Sequence, residues 1–494
     1  MSDTHAPRRF RPLGFTIVSG LATAMVAMLA MRPLPQARAE IERASDPEPA
    51  PAPERPVSPD NEPAPVAPPV TIAPERPLRV TALGWELLGP AVIANDGLIP
   101  GDASQFRRSG LAVELAVAHT PDELAARLAR GGAVADGADV ALLPLPTFVA
   151  SYEQLRALAP EVFFVIGWSH GRDALAAEQP ELLIEIETKA RSSTIELVGS
   201  PGQPATMLSL FALEQAGFAI DRVELISPQD ARAERASLRA IERSLDSPSS
   251  SIVDARELVL TSADAPRLIP MVAVAPAGFV RDNTDELARF TRIWLSGVEQ
   301  LGANVPAAAR RIAAQPGAPE AVALLERMGY VSFAELADAV RLAGLSGRGA
   351  LSLEVLFQRN WSLWREVGVL STPAPEHAPL DNSVIARVAL GEGAPVVLGH
   401  HEPGRVGERL ILVHCVPPDA ALDEAALVET IGFLAASFAR AEIELSVRKD
   451  KHASRRERPI IAAAIERYDL DVDHVRPGPK IRKGQLACVR VLAP

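Results

Sequence analysis

Residues able to do chemistry gather at three places in this chain. The first is Ser169-His170-Gly171-Arg172-Asp173, which packs a hydroxyl, an imidazole, a guanidinium and a carboxylate into five positions. Serine, histidine and aspartate together suggest nucleophilic catalysis. Three side chains this close on one strand end are poorly placed to relay a proton, so a loop lining a pocket is the better reading. The second place is Gly199-Ser200-Pro201-Gly202-Gln203, just ahead of a helical stretch containing Thr206. Free backbone N–H groups and the dipole at a helix start suit a carboxylate, sulfonate or phosphate, with Ser200 and Thr206 adding hydroxyl donors. A plain strand-to-helix turn would use the same Gly and Pro. The third is Asp450, at the tip of a loop whose surroundings include Arg448, Lys449, Lys451, Arg455, Arg456 and Arg458. Such a run attracts anionic polymer or lipid headgroups, or is simply a solvated face. A phosphate-binding glycine loop with lysine, an HExxH helix and a GxSxG elbow are all absent from the sequence, and nothing in it asks for a cofactor. His400-His401 lies in a Gly-rich stretch, where a solvated loop is the default over a metal pair.

The elements that must position these residues alternate between strand and helix. Strands are predicted over 79–84, 111–118, 140–145, 162–169, 195–199, 223–227 and 258–261, and helices over 89–97, 120–130, 205–216 and 229–245. The apolar runs are short and the helices carry 3.6-residue stripes, which predicts an α/β module with mainly parallel sheets. Residues 283–370 read as mostly helical. After 405 the order is strand 410–416, helix 423–439, strand 443–447 with a charged outer face, helix 455–467 and strand 486–492, a βαβαβ pattern.

With 494 residues and 48% apolar content, two or more domains are expected. The net charge of −12 argues against a general nucleic-acid binder. Residues 405–494 hold 15 basic and 13 acidic residues, so the acidity belongs to the rest of the chain. Cys415 and Cys488 exclude a disulfide framework. Two unpaired core cysteines is the plainer reading, and a bond between them requires their strands to lie side by side.

At the start, Arg8, Arg9 and Arg11 precede the uncharged run Gly14–Met31. Eighteen helical residues span about 27 Å, close to a bilayer's hydrocarbon core, and the positive flank predicts a cytoplasmic N-terminus with the remainder exported. An uncleaved inner-membrane anchor is favoured over a signal cleaved near Ala39. Twelve prolines between Pro47 and Pro77 make the following stretch a semi-rigid spacer. Its reach is at most on the order of 95 Å. The domains are therefore 1–39 anchor, 40–77 linker, 78–400 and 405–494.

Residues 78–400 resemble the two-lobed periplasmic substrate-binding proteins of the nitrate/taurine/thiamine-precursor type. The likeness rests on Val80-Thr-Ala-Leu-Gly-Trp85 as first strand with a pocket aromatic, Gly137-Ala-Asp-Val-Ala-Leu-Leu143, the crossover loop 169–173, the ligand loop 197–203, and 285–297 with Phe290 and Trp294. It implies a type II binding-protein fold, an ABC-transporter permease as partner, and ligand contacts from Trp85, Ser169, Asp173, Ser200, Gly202 and Thr206. Trp85 equally suits packing between sheet and helix. That family places an aromatic-bearing strand before the strand at 258–261. Here 244–255 is a polar serine stretch, which predicts that one wall of the pocket is missing.

Residues 405–494 resemble the OmpA-like peptidoglycan-binding domains, in which an Asp at the second strand's end and an Arg on the next helix clamp diaminopimelate. Asp450 matches that Asp. Val447-Arg448-Lys449 replaces the usual Gly-His-Thr, and Glu457 stands at the expected Arg position, with Arg456 and Arg458 on either side. Together these readings predict a non-enzymatic, envelope-anchored protein that captures a small anionic solute and carries a wall-facing α+β domain. The alternative is a membrane-to-peptidoglycan tether whose binding fold has lost its ligand.

Overall fold

The computed structural model describes residues 76–178, 194–243, 257–345, 349–391, 409–416, 422–448, 453–481 and 485–493. The chain begins with β1 (Leu78–Leu83), α1 (Trp85–Asn95), β2 (Val113–Ala118), α2 (Pro121–Arg130), β3 (Val140–Pro144), α3 (Leu145–Leu155) and β4 (Pro160–Ser169). It then crosses to a second sheet with β5 (Asp173–Ala177), β6 (Ile195–Val198), α4 (Pro204–Gln215), β7 (Val223–Ile226), β8 (Leu238–Glu242) and β9 (Glu257–Thr261). It returns with β10 (Pro270–Pro276), α5 (Thr284–Ala303), α6 (Val305–Ala313), α7 (Ala321–Gly329), β11 (Val331–Phe333), α8 (Leu353–Glu366) and α9 (Ser383–Gly391). The last part is β12 (Arg409–Val416), α10 (Glu424–Ser437), β13 (Glu442–Val447), α11 (Ala453–Tyr468), β14 (Val475–Pro477) and β15 (Ala487–Ala493).

The first sheet has the order β11-β4-β10-β3-β1-β2 and the second β7-β6-β8-β5-β9. Each is mixed. β1 runs parallel to β2 and β3, and β6 to β7 and β8. β10 is antiparallel to β3 and β4, and β5 to β8 and β9. The expectation of mainly parallel sheets missed the strands that turn back at the crossings, β5 and β10. Both are short apolar runs with few breakers, and neither is preceded by a crossover helix that would mark it. Two crossings join the lobes, and they brace each other: Ser262 N–H donates to the Asp173 carbonyl at 2.8 Å and Ser169 N–H to the Ile269 carbonyl at 3.0 Å.

The helix expected over 229–245 is not formed. A 3₁₀ turn at Ala233–Arg235 leads into β8, which fills the slot between β5 and β6. Local propensity of this Ala/Arg/Glu-rich run favours helix, but without it two strands would be left with open edges inside the sheet. The stretch 244–255, where a pocket wall was expected to be missing, follows β8. The serine stretch sought for that wall lies outside the described residues.

The C-terminal sheet has the order β12-β15-β13-β14, one strand more than the βαβαβ reading. With β14 on its outer side, β13 is an interior strand, and its charged face is not exposed. Glu442 and Glu444 are buried and paired with arginines: Arg476 with both, and Arg490 with Glu444 at 2.7 Å. Cys415 lies directly opposite Cys488 on β15, their Cα atoms 4.1 Å apart, and the two are joined in a disulfide. This corrects the reading of two unpaired thiols: strand pairing across a long sequence gap supplied the proximity that spacing did not reveal. α10 and β12 of this part pack onto the second lobe. Phe211 of α4 meets Phe433 and Phe438 at ring-centroid distances of 6.0 and 6.2 Å, and His414 Nδ1 lies 3.1 Å from the Gln215 carbonyl. α4 is thereby buried on nearly every side.

Candidate functional site

The carboxyl ends of strands from both lobes converge on a cavity of ≈ 560 Å³. One wall is the β1–α1 turn. Gly84 makes this turn at φ 107°, and a Cβ there would lie 2.8 Å from a Glu86 carboxylate oxygen. The turn points Trp85 and Glu86 into the wall as α1 begins, four residues earlier than expected from the sequence. A second wall is the end of β2 and the start of α2. Thr120 caps α2 by accepting the Glu123 N–H, and the Glu123 carboxylate reaches back to the His119 N–H at 2.9 Å. The second lobe contributes Arg172, Asp173, the loop 201–204 and Glu242, and Arg327 of α7 also lines the cavity.

Charge in the cavity is organised around Arg172. One guanidinium nitrogen is 2.5 Å from Glu86 of the first lobe, and the other pairs with Glu242 of the second. Burial works against the guanidinium's charge, but Glu86 and Glu242 outweigh it and hold the group above its usual range. Glu86 is only 3% exposed, and its second carboxylate oxygen, Oε2, has no hydrogen-bond partner among the described residues.

Asp173 is fully buried beside this bridge. Burial pushes its carboxyl up to about 6, against the Ser169 hydroxyl, the Arg172 charge and the Ala205 N–H, which all favour the ionised form. Ser169 Oγ donates to Asp173 at 2.5 Å and lies 2.9 Å from Ser262 Oγ. Ser262 Oγ also accepts the Asp173 N–H at 3.3 Å. The Ala205 N–H belongs to the first turn of α4, so Asp173 lies beside the helix start that the sequence suggested for a bound anion.

The residues singled out from sequence thus divide. Trp85, Asp173 and Gly202 line the cavity. Gly202, at φ 76°, lets the loop approach α3 closely: a Cβ would lie 3.2 Å from Ala150, and Thr147 Oγ1 donates to the Gly202 carbonyl at 2.8 Å. Ser169 is 1% exposed and braces the crossing beneath the cavity. Ser200 and Thr206 are not among the lining residues. Thr206 is buried under Gly199, whose own Cβ would fall 2.5 Å from Thr206 Oγ1. Asp450 lies outside the described residues, as does His400-His401. Arg456 is on α11 and Arg458 is exposed there. Glu457 accepts the Val447 N–H at 2.9 Å, closing the end of β13. Sequence reasoning missed Glu86, Glu242 and Arg327, and gave Arg172 no role of its own. Glu86 and Arg172 adjoin residues it chose, whereas Glu242 was hidden in the misread helix.

No known protein-family profile matches the chain, and no curated protein matches it. Among solved structures it is similar to the periplasmic aliphatic sulphonate-binding protein SsuA from Escherichia coli, at 13% identity over 60% of this chain and 93% of that one, with a TM-score of 0.41. It is similar to the periplasmic nitrate-binding protein NrtA from Synechocystis PCC 6803, at 12% identity over 67% and 93%, TM-score 0.42. A third similarity is to a periplasmic sulfonate-binding protein SsuA from Methylobacillus flagellatus KT, at 12% identity over 64% and 95%, TM-score 0.43.

Proposed function

We propose that residues 78–400 form a non-catalytic solute-binding module, exported and held at the inner membrane by 14–31 and the proline-rich spacer. The observation that carries this reading is the cavity at the carboxyl ends of strands from two sheets joined by two crossings. Open α/β sheets take ligands at such places, and paired crossings let lobes close on a solute. Ser169, the would-be nucleophile, is buried against Asp173 and Ser262 and closed to a substrate, which supports a non-catalytic role. The Cys415–Cys488 bond supports an oxidising compartment. An acidic group on the solute would meet Arg172 only in competition with Glu86 and Glu242. An ABC-transporter permease is the partner this reading implies. The C-terminal segment is proposed as the wall-facing part, through Asp450 with Arg456 or Arg458.

A second reading, a membrane-to-peptidoglycan tether without a solute, is favoured by one observation. The Glu86–Arg172–Glu242 bridge joins the lobes through protein groups alone. Thermal-shift measurements on the folded full chain with small acids, amines and zwitterions separate the two. A solute at a hundred times its Kd stabilises the native state by about 2.7 kcal/mol. Gly202→Leu, which forces a side chain toward Ala150, is expected to remove the shift. Stabilisation by no solute sinks the capture reading and leaves the tether.

A further inference from the structure

We propose that the solute carries a protonated nitrogen, received by the unpartnered Oε2 of Glu86 in the β1–α1 wall. This rests on the solute-binding reading above.

The argument starts from which groups in the cavity are already engaged. Arg172 reaches Glu86 with one nitrogen and Glu242 with the other, so both arms of its fork are committed. The Asp173 carboxyl lies beside the α4 start, where the Ala205 N–H favours its ionised form. An anionic solute therefore meets donors that serve protein carboxylates. Three carboxylates, Glu86, Asp173 and Glu242, line the cavity against two guanidiniums, Arg172 and Arg327. A further anion would add to that excess, whereas a cation would balance it.

Glu86 is the group left with spare capacity. An ionised carboxylate accepts through both oxygens. Oε1 is bound to Arg172, and Oε2 is buried with no partner among the described residues. A buried acceptor left unmade is costly, and an N–H donor from a bound solute would satisfy it. The Trp85 indole, in the same wall, adds an aromatic surface of the kind that attracts an ammonium or amidinium.

The test uses four solutes of equal chain length with the full-length protein: 1,6-diaminohexane, 6-aminohexanoate, hexanoate and hexane-1-sulfonate. Melting temperature and calorimetric titration are read for wild type, Glu86→Gln and Glu86→Asp. The two nitrogen-bearing solutes are expected to bind wild type, and both variants to bind them about tenfold or more weakly, as for a lost charged hydrogen bond. Glu86→Asp keeps a charge beside Arg172 while shortening the reach, so it remains informative should Glu86→Gln fail to fold. Binding of hexanoate or hexane-1-sulfonate in preference to the amines, or amine binding unchanged in both variants, overturns the inference and leaves solute capture standing. Binding of none of the four by wild type also overturns it. Capture itself is then judged by the broader screen of acids, amines and zwitterions.

Discussion

Asp173 is the residue on which acid and base behaviour of this protein should turn. Its carboxyl, pushed up to about 6 by burial, has an unfolded value near 3.9. The native state therefore holds the proton more tightly than the unfolded chain. The resulting stability is fully present below about pH 4 and is lost as pH rises through about 6. Two pKa units correspond to about 3 kcal/mol. Urea unfolding at pH 4.5, 5.5 and 7.0 should show this component in wild type and not in Asp173→Asn, and identical slopes in both would reject it. At the other end of the chain, Glu457 serves its own backbone. Glu457→Arg, which a peptidoglycan clamp would invite, strands the Val447 N–H and is expected to cost about 1 kcal/mol. An unchanged unfolding midpoint for this variant would mean the contact is dispensable.

At the scale of elements, α4 is the meeting point of three layers. Its start faces the cavity through Pro204, and its Phe211 meets the rings of Phe433 and Phe438. Arg359 of α8 pairs with Glu214 and lies 4.5 Å over the Phe433 ring, so the second lobe, the returning helices and the C-terminal helices share one apolar joint. Truncating Phe211, fully buried, should therefore cost about 3–5 kcal/mol and loosen both neighbours at once. Hydrogen exchange can check this: faster exchange in both α4 and α10 is expected in Phe211→Ala, and loss confined to α4 would show that the joint is not shared.

For the whole molecule, the disulfide closes the C-terminal sheet. The bonded cysteines are 73 residues apart, and the chain-entropy model assigns such a loop about 4 kcal/mol. A reductant is expected to lower the melting temperature of wild type and to leave a Cys415→Ser, Cys488→Ser variant unmoved. Equal effects on both would argue against the bond as a stabiliser. The C-terminal sheet also lies against the second lobe through Arg409, which pairs with Asp264 at 2.5 Å, and through His414. Among the described residues no helix is long and apolar enough to cross a membrane, and the uncharged run 14–31 lies outside them.

Much of the chain's local order was readable in one dimension. Helix Pro121–Arg130 declares itself because its periodicity, capping threonine and N1 proline agree with one another, while Val140–Pro144 and Pro204–Gln215 show as apolar runs, the latter opened by an N1 proline. Trp85, Asp173 and Gly202 were visible because glycines and polar residues at strand ends mark turns and clefts. What stayed hidden depends on partners distant in sequence. β8 is a strand because β5 and β6 leave a gap for it, and its Ala/Arg/Glu composition points to helix. Cys415 meets Cys488 only once β12 pairs with β15. The charge state of the cleft depends on Glu86, Arg172 and Glu242, far apart in the chain and brought to one point by two sheets. Spacing can propose an anion site at a helix start, but the fold puts the protein's own Asp173 there, because buried polar groups find their partners across the tertiary structure.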